Sequence, residues 1–136
     1  MGLGVAADFG RGTVGARISA AWMRAERPDE GDASVTSAGS GLAHYTGELT
    51  LDFNKRGPVH PVLGMGFGIA RVSKSTGGGN AGVGVARLAL EYSVGLEDAD
   101  VRIGGGITGA LPGPSDREAA DLRAYAIVGA HVAIGF

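Results

Sequence analysis

The residues best able to do chemistry in this chain are single charged side chains that recur among glycine, alanine and serine at alternate positions. Four arginines and four carboxylates share this setting, and two histidines and a tyrosine lie at the same alternate positions. They are Arg17, Arg87, Arg102 and Arg123; Asp8, Glu48, Asp52 and Glu91; and His44, Tyr125 and His131. Because charges removed from bulk water must be paired, these residues predict a network of ion pairs inside the fold. A proton- or ion-conducting constriction, or a ligand site, is the functional alternative for the same set.

Catalytic arrangements among these residues are weakly supported. Glu48 and Asp52 lie four residues apart, which on a strand separates them by about 13 Å. That distance exceeds the separation of about 5–9.5 Å used by carboxylate pairs in glycoside hydrolysis. Asp52 and His131 could form a triad with Ser19 or Ser93, but no G-x-S-x-G motif contains either serine. The sequence therefore predicts a protein that is not an enzyme and has no catalytic residues.

Metal, cofactor and nucleic-acid sites are also not expected. The histidines His44, His60 and His131 are widely spaced, and cysteine is absent, so no ligand set for a metal is formed. The glycine-rich segments 64–68 and 104–106 lack the following helix that a phosphate-binding loop requires. The formal net charge of −2 provides no basic face for nucleic acid.

The elements that would position these side chains are strands. Apolar residues recur at every second position over most of the chain, which is the period of a β-strand with two unlike faces. Helix is disfavoured because 26 glycines are spread through the apolar stretches. Seven strands are predicted, at residues 2–9, 13–26, 42–54, 61–73, 84–96, 100–111 and 121–136. The fold class is all-β.

The composition of the two strand faces indicates which solvent each one meets. A soluble sandwich would place lysine, glutamate and threonine opposite its apolar face. Here the opposite face is mainly glycine, alanine and serine with isolated charges, as expected for the crowded interior of a narrow barrel. Lipid outside and a polar interior are typical of an up-and-down antiparallel transmembrane β-barrel. The rival fold is a soluble lipocalin-like binding barrel, which would have the apolar face inside.

The connections support the same topology because short and long links alternate along the chain, as short periplasmic turns and longer outer loops do. The short links lie near residues 10–12, 55–60 and 96–99, and the long links at 28–41, 75–82 and 112–119. Aromatic residues fall near the strand ends, where two interfacial girdles would lie. They are Phe9, Phe53 and Phe136 at the turn ends, and Trp22 and Tyr45 at the loop ends.

The last strand carries the most specific motif of the chain. Residues 128–136 alternate apolar with small residues and end in phenylalanine, and in this respect the chain resembles the small bacterial outer-membrane barrels of the OmpA/OmpX type. The resemblance implies a Gram-negative outer-membrane location, contact with outer-membrane lipids, and an assembly signal at Val132, Ile134 and Phe136 read by the assembly machinery. It implies a structural or interaction role with no cofactor and an unidentified loop partner. A narrow passive pore for ions or small solutes is the alternative.

The strand count conflicts with this family's rule. Single-chain bacterial barrels have an even number of strands, whereas seven are visible over the single domain of residues 1–136. We therefore expect the chain to be most of an eight-stranded barrel, with one further strand and a signal peptide preceding it. Taken alone, the seven strands are expected either to behave poorly or to close by pairing the first with the last.

Overall fold

Seven strands make up nearly all of the structure, a computed structural model that describes residues 2–10, 13–24, 41–54, 56–74, 77–95, 100–116, 119 and 122–135. Each strand overlaps one predicted from the sequence, so the all-β class is confirmed. Among the described residues there is no helix long and apolar enough to cross a membrane. The strands are β1 (Gly2–Phe9), β2 (Val14–Arg24), β3 (Gly41–Asp52), β4 (Val59–Lys74), β5 (Gly77–Gly95), β6 (Asp100–Ser115) and β7 (Tyr125–Gly135).

The strands form one ring-like sheet in chain order. Each is antiparallel to the next, and β1 also pairs with β7, in parallel, to close the ring. Direct pairing of the first and last strands is one of the two outcomes expected for seven strands alone. We call the end of the ring with Phe9 and Asp52 the turn end, and the end with Met23 and Gly41 the loop end.

The ring is strongly staggered. Moving from Asp8 to its cross-strand partner on β2, and so on from strand to strand in chain order, one reaches Tyr125 on β7. Across the seam that closes the ring, however, Asp8 pairs directly with Gly135. These two β7 positions are about ten residues apart, and such a stagger tilts strands against the ring axis. Residues at one level inside the ring are therefore usually not partners in the hydrogen-bond ladder.

Side chains alternate between the interior and the outer face along each strand. On β3, for example, Glu48 and Asp52 are buried, whereas Tyr45 and Leu49 are 45% and 68% exposed. The buried polar residues of the described chain are Arg17, His44, Thr46, Glu48, Thr50, Asp52, His60, Arg87 and Glu91. Large apolar side chains lie on the outside of every strand. This distribution is the reverse of that in a water-soluble fold.

The interior is not polar throughout, contrary to the sequence expectation of small residues and charges along its whole length. At the loop end a cluster of buried apolar side chains fills the ring, and we call it the apolar layer. It comprises Leu42, Ala70, Val72, Ala81, Val83, Val85, Ala110 and Ala119, with Met23, Leu122 and Tyr125 packed against it. The charged residues lie between this layer and the turn end.

The link between β4 and β5 corrects a second expectation. The sequence predicts a long loop over residues 75–82, but β5 already begins at Gly77, and Gly77 and Gly78 pair with Lys74 and Ser73 of β4. Ladder hydrogen bonds to β4 satisfy this glycine-rich backbone, so a low strand propensity does not prevent pairing. Likewise β6 continues to Ser115, into the predicted 112–119 link. Most of the predicted 28–41 loop and the 96–99 turn lie outside the described residues.

Several inward-facing glycines are required by close packing. A Cβ at Gly66 would lie 2.7 Å from Glu48 Cα and closer still to the Gly47 carbonyl oxygen. A Cβ at Gly104 would lie 2.6 Å from the Leu90 carbonyl oxygen and 2.9 Å from Glu91 Cα. These obstacles are backbone atoms, which cannot move without shifting a strand. Glycine at these positions lets neighbouring strands approach and leaves room for the charged side chains.

Replacing Gly66 with alanine should therefore destabilise the fold by about 1–3 kcal/mol, the range typical of overpacking. Gly84 is the matched control, because it faces outward from β5 and nothing lies within 4 Å of its Cβ position. Gly84→Ala should change stability by no more than about 0.5 kcal/mol. Urea unfolding of both variants, followed by the fluorescence of the single tryptophan Trp22, measures the difference. Equal effects at the two positions would refute the packing argument.

Candidate functional site

Arg17 of β2 is the centre of the charged interior, and only 1% of its side chain is exposed. Its Nε and Nη2 donate to the two carboxylate oxygens of Asp8 on β1, at 2.5 and 2.6 Å. Its Nη1 and Nη2 donate to the two oxygens of Glu91 on β5, at 2.6 and 3.0 Å. Two bidentate contacts of this kind are the strongest pairing geometry a guanidinium can adopt. They link β1, β2 and β5 inside the ring.

Glu91 extends the network towards two further strands. The Nε2 atom of His131 on β7 lies 2.7 Å from Glu91 Oε1. The Nη1 atom of Arg102 on β6 lies 3.9 Å from Glu91 Oε2. The Glu91 side chain is fully buried, so these neighbours and Arg17 replace the water that its charge would otherwise need.

Arg102 carries the network to the turn end. Its Nη1 donates to Asp52 Oδ2 of β3 at 3.0 Å, and its Nε donates to Asp100 Oδ2 at 2.7 Å. The same Asp52 oxygen lies 2.7 Å from Nδ1 of His60 on β4, and Ser93 hydrogen-bonds with Asp100. The connected groups thus include at least one residue from each of the seven strands.

A second, smaller cluster lies closer to the apolar layer. Arg87 Nη2 donates to Glu48 Oε1 at 2.7 Å and to Ser19 Oγ at 3.0 Å, and Thr46 Oγ1 donates to Glu48 Oε1 at 2.7 Å. Ser19 and Arg87 line a cavity of about 50 Å³ together with His131 of the first network. A cavity of that volume is large enough for one ordered water molecule, and its lining is mainly apolar apart from Ser19, Arg87, Thr108 and His131.

The structure places seven of the eight charged residues named from the sequence in these two clusters: Asp8, Arg17, Glu48, Asp52, Arg87, Glu91 and Arg102. Arg123 does not join them. It is exposed, and no ion pair links it to another described residue. The reason is that β7 begins only at Tyr125. The strand would have to begin two residues earlier for its alternation to turn Arg123 inward.

Sequence reasoning missed three members of the network. His60 falls in the predicted 55–60 turn, but β4 begins at Val59 and turns this histidine inward. Extending the predicted strand 61–73 by two residues towards its start, to residue 59, places His60 on the inward face. Asp100 lies two residues before Arg102, on the same face of β6, and this spacing was an available signal. Ser93 had none, because serine is common on that face.

The catalytic triad that the sequence formally allows is not assembled. His131 is bonded to Glu91, and Asp52 is bonded to His60 and Arg102. Ser19 hydrogen-bonds with Thr46 at 2.7 Å, and Ser93 with Asp100. In the part of the chain that the structure describes, no group of three or more histidine, cysteine, aspartate or glutamate residues could hold a metal ion. The arrangement is suited to neutralising buried charge.

Those aromatic residues predicted for the interfacial girdles that the structure describes lie on the outer face of the ring. Phe9, Trp22, Tyr45 and Phe53 are all exposed, the first and last at the turn end and the other two towards the loop end. Trp22 and Tyr45 contact each other edge to face, with ring centroids 6.4 Å apart. Val132 and Ile134 face outward from β7 and are 43% and 42% exposed. Phe136 lies outside the described residues.

Comparison with protein-family models, with curated proteins and with solved structures finds no match to this chain. Two features of the chain bear on its function: the ion-paired interior closed by the apolar layer, and the apolar outer face.

Proposed function

We propose that this chain is a non-enzymatic transmembrane β-barrel of the bacterial outer membrane, with a sealed, salt-bridged interior and a structural or interaction role at the cell surface. The observation that carries the proposal is the reversed polarity of the ring. Charged residues are buried inside it, while large apolar side chains are exposed on all seven strands. They include Leu3, Ile18, Leu49, Phe67, Leu88, Ile107 and Val128, each at least 54% exposed.

Lipid is the solvent that suits this outer face. A soluble monomer rarely exposes an apolar patch larger than a few hundred Å². A closed ring also leaves no unpaired strand edge, which is the condition for crossing a hydrocarbon layer. Six of the seven strands have 11 or more residues, and about 9–11 are enough for a tilted strand to span. A soluble lipocalin-like barrel would need the opposite polarity.

The filled interior favours a sealed barrel over a pore. The apolar layer occupies the loop end, and ion pairs occupy the rest, so a hydrated ion would have to displace both. Rings of few strands leave an interior only wide enough for side chains. The narrow pore is kept as the second candidate because the charged clusters and the 50 Å³ cavity supply a partly polar path.

Planar-bilayer recording separates these two candidates. The unmodified protein should show no reproducible conductance steps, because the apolar layer blocks the path. A variant in which the apolar-layer residues Val72 and Val83 are both replaced by serine should begin to conduct. The smaller serine side chains would widen the path through the layer and make it polar. Reproducible open steps from the unmodified protein would reject the sealed barrel and favour the pore.

A further inference from the structure

A depression on the outer face crosses β1 to β4 and has a volume of about 650 Å³. The small residues Ala20 and Gly47 lie within it, and Ile18, Tyr45 and Ile69 border it. Gly47 faces outward, and nothing lies within 4 Å of its Cβ position. The packing of the chain itself therefore does not require glycine here, and the space above Gly47 is available to another molecule. We call this depression the outer groove.

A cation and two aromatic rings lie at the loop end of the outer groove. The register places Trp22 opposite Ala43, and Ala43 opposite Arg71, so the three form a row across β2, β3 and β4. Trp22 also contacts Tyr45, which borders the groove. Arg71 is the only charged residue among the outward-facing strand residues whose side chains the structure describes, and none of the described carboxylates pairs with it. A guanidinium with no partner among the described carboxylates, beside aromatic rings, suits the headgroup level of a membrane.

We propose that the outer groove binds one anionic membrane lipid, with its phosphate on Arg71 and an acyl chain over Ala20 and Gly47. This inference rests on the membrane location proposed above and adds a ligand to it. From the level of Arg71 to Gly47 is about four residues of β3, or about 13 Å, so one molecule can reach both features. Arginine binds phosphate strongly through paired hydrogen bonds.

A lipid fits the groove better than a protein segment does. The lining is almost entirely apolar and offers few hydrogen-bond partners to a peptide backbone, whose polar groups must be satisfied when they are buried. Among the outward-facing strand residues that the structure describes, a second copy of this chain offers no carboxylate to Arg71. A phosphate headgroup supplies a negative charge for Arg71, and an acyl chain has no polar groups to satisfy.

The single tryptophan Trp22 allows a direct test, because it contacts Tyr45, which lines the groove. The full chain is reconstituted in phosphatidylcholine vesicles that contain a small fixed fraction of brominated lipid, and quenching of Trp22 fluorescence is measured. Brominated phosphatidylglycerol should quench several-fold more strongly than brominated phosphatidylcholine at the same fraction. Arg71→Gln should abolish this preference, and Gly47→Leu, which fills the groove, should weaken quenching by both lipids.

Gly84→Leu is the control, because Gly84 also faces outward into open space but lies on β5 and does not line the groove. It should retain both the quenching and the lipid preference of the unmodified chain. Equal quenching by the two brominated lipids, or a preference that survives Arg71→Gln, would overturn the lipid site while leaving the membrane location intact. Quenching that falls as protein density rises would assign the groove to a second copy instead. No quenching by either lipid would overturn the membrane location and the site together.

Discussion

Replacing Arg17 with methionine should lower the free energy of unfolding by about 3–5 kcal/mol, the typical cost of removing one partner of a buried ion pair. Arg17 is the only residue that pairs with Asp8 among the described ion pairs, and it makes the only bidentate contact with Glu91. The substitution preserves most of the side-chain volume, so the loss reports uncompensated charge rather than a cavity. Two carboxylates would be left in a low-dielectric interior with His131 and Arg102 as the remaining neighbours of Glu91.

Arg123→Met is the matched control, because Arg123 is exposed and lies outside the network. It should change the free energy of unfolding by no more than about 0.5 kcal/mol. Urea titration of each variant refolded in lipid vesicles, followed by Trp22 fluorescence, gives both values. A loss below about 1 kcal/mol at Arg17 would mean that the ion pairs do not hold the strands together.

Replacing Leu88 with arginine should destabilise the protein in lipid by about 2–4 kcal/mol, the penalty for a cation facing the middle of a bilayer from a barrel strand. Leu88 lies near the centre of β5, faces outward and is 63% exposed. In a water-soluble protein, the same change at so exposed a site would alter stability by no more than about 0.5 kcal/mol. The sign and size of this effect therefore distinguish lipid from water around the ring.

Val94→Arg controls for the substitution itself. Val94 lies on the same face of the same strand, about 20 Å further towards the turn end, where a long side chain can reach the membrane surface. Its penalty should be only about 0–1 kcal/mol. Both variants are compared by urea unfolding in vesicles of one lipid composition. Equal and small penalties at the two depths would contradict a lipid-facing belt.

Strict alternation made most of the fold predictable. On β3, every second residue from Leu42 to Asp52 is buried, and the residues between them are more exposed, so the period of two alone locates the strand and separates its faces. The charged part of the interior could also be predicted, because isolated charges such as Glu48 recur among small residues on the opposite face from Leu49. A strand period and a face composition are local properties, and a single sequence contains both.

Partner choice within the interior could not be predicted. In the hydrogen-bond ladder Arg17 lies opposite Asp8 on one side and Glu48 on the other. Arg17 does bond Asp8, its neighbour on one side. It does not bond Glu48, its neighbour on the other side, but Glu91 across the ring, and Glu48 pairs with Arg87 instead. Which residues share a level depends on the stagger of the closed ring, a property of all seven registers together. The sequence contains no local signal for it.

The start of β5 shows a limit of composition rules. Three consecutive glycines, Gly77, Gly78 and Gly79, ordinarily indicate a loop, yet they pair with β4. The apolar layer escapes prediction for a related reason: its member Ala81 lies in the predicted 75–82 loop, and Val83 lies just before the predicted strand at 84–96. Tertiary pairing overrides local propensity where a long neighbouring strand provides the hydrogen-bond partners.

The central claim is that the apolar outer face contacts lipid, and vesicle flotation combined with gel migration tests it most directly. The full chain is refolded from urea with and without phosphatidylcholine vesicles, floated through a density gradient, and run on detergent gels with and without heating. We predict that it floats with the vesicles, resists extraction by carbonate, and migrates faster unheated than heated because the closed ring survives the detergent. A chain that stays monomeric in buffer without lipid or detergent would contradict the claim.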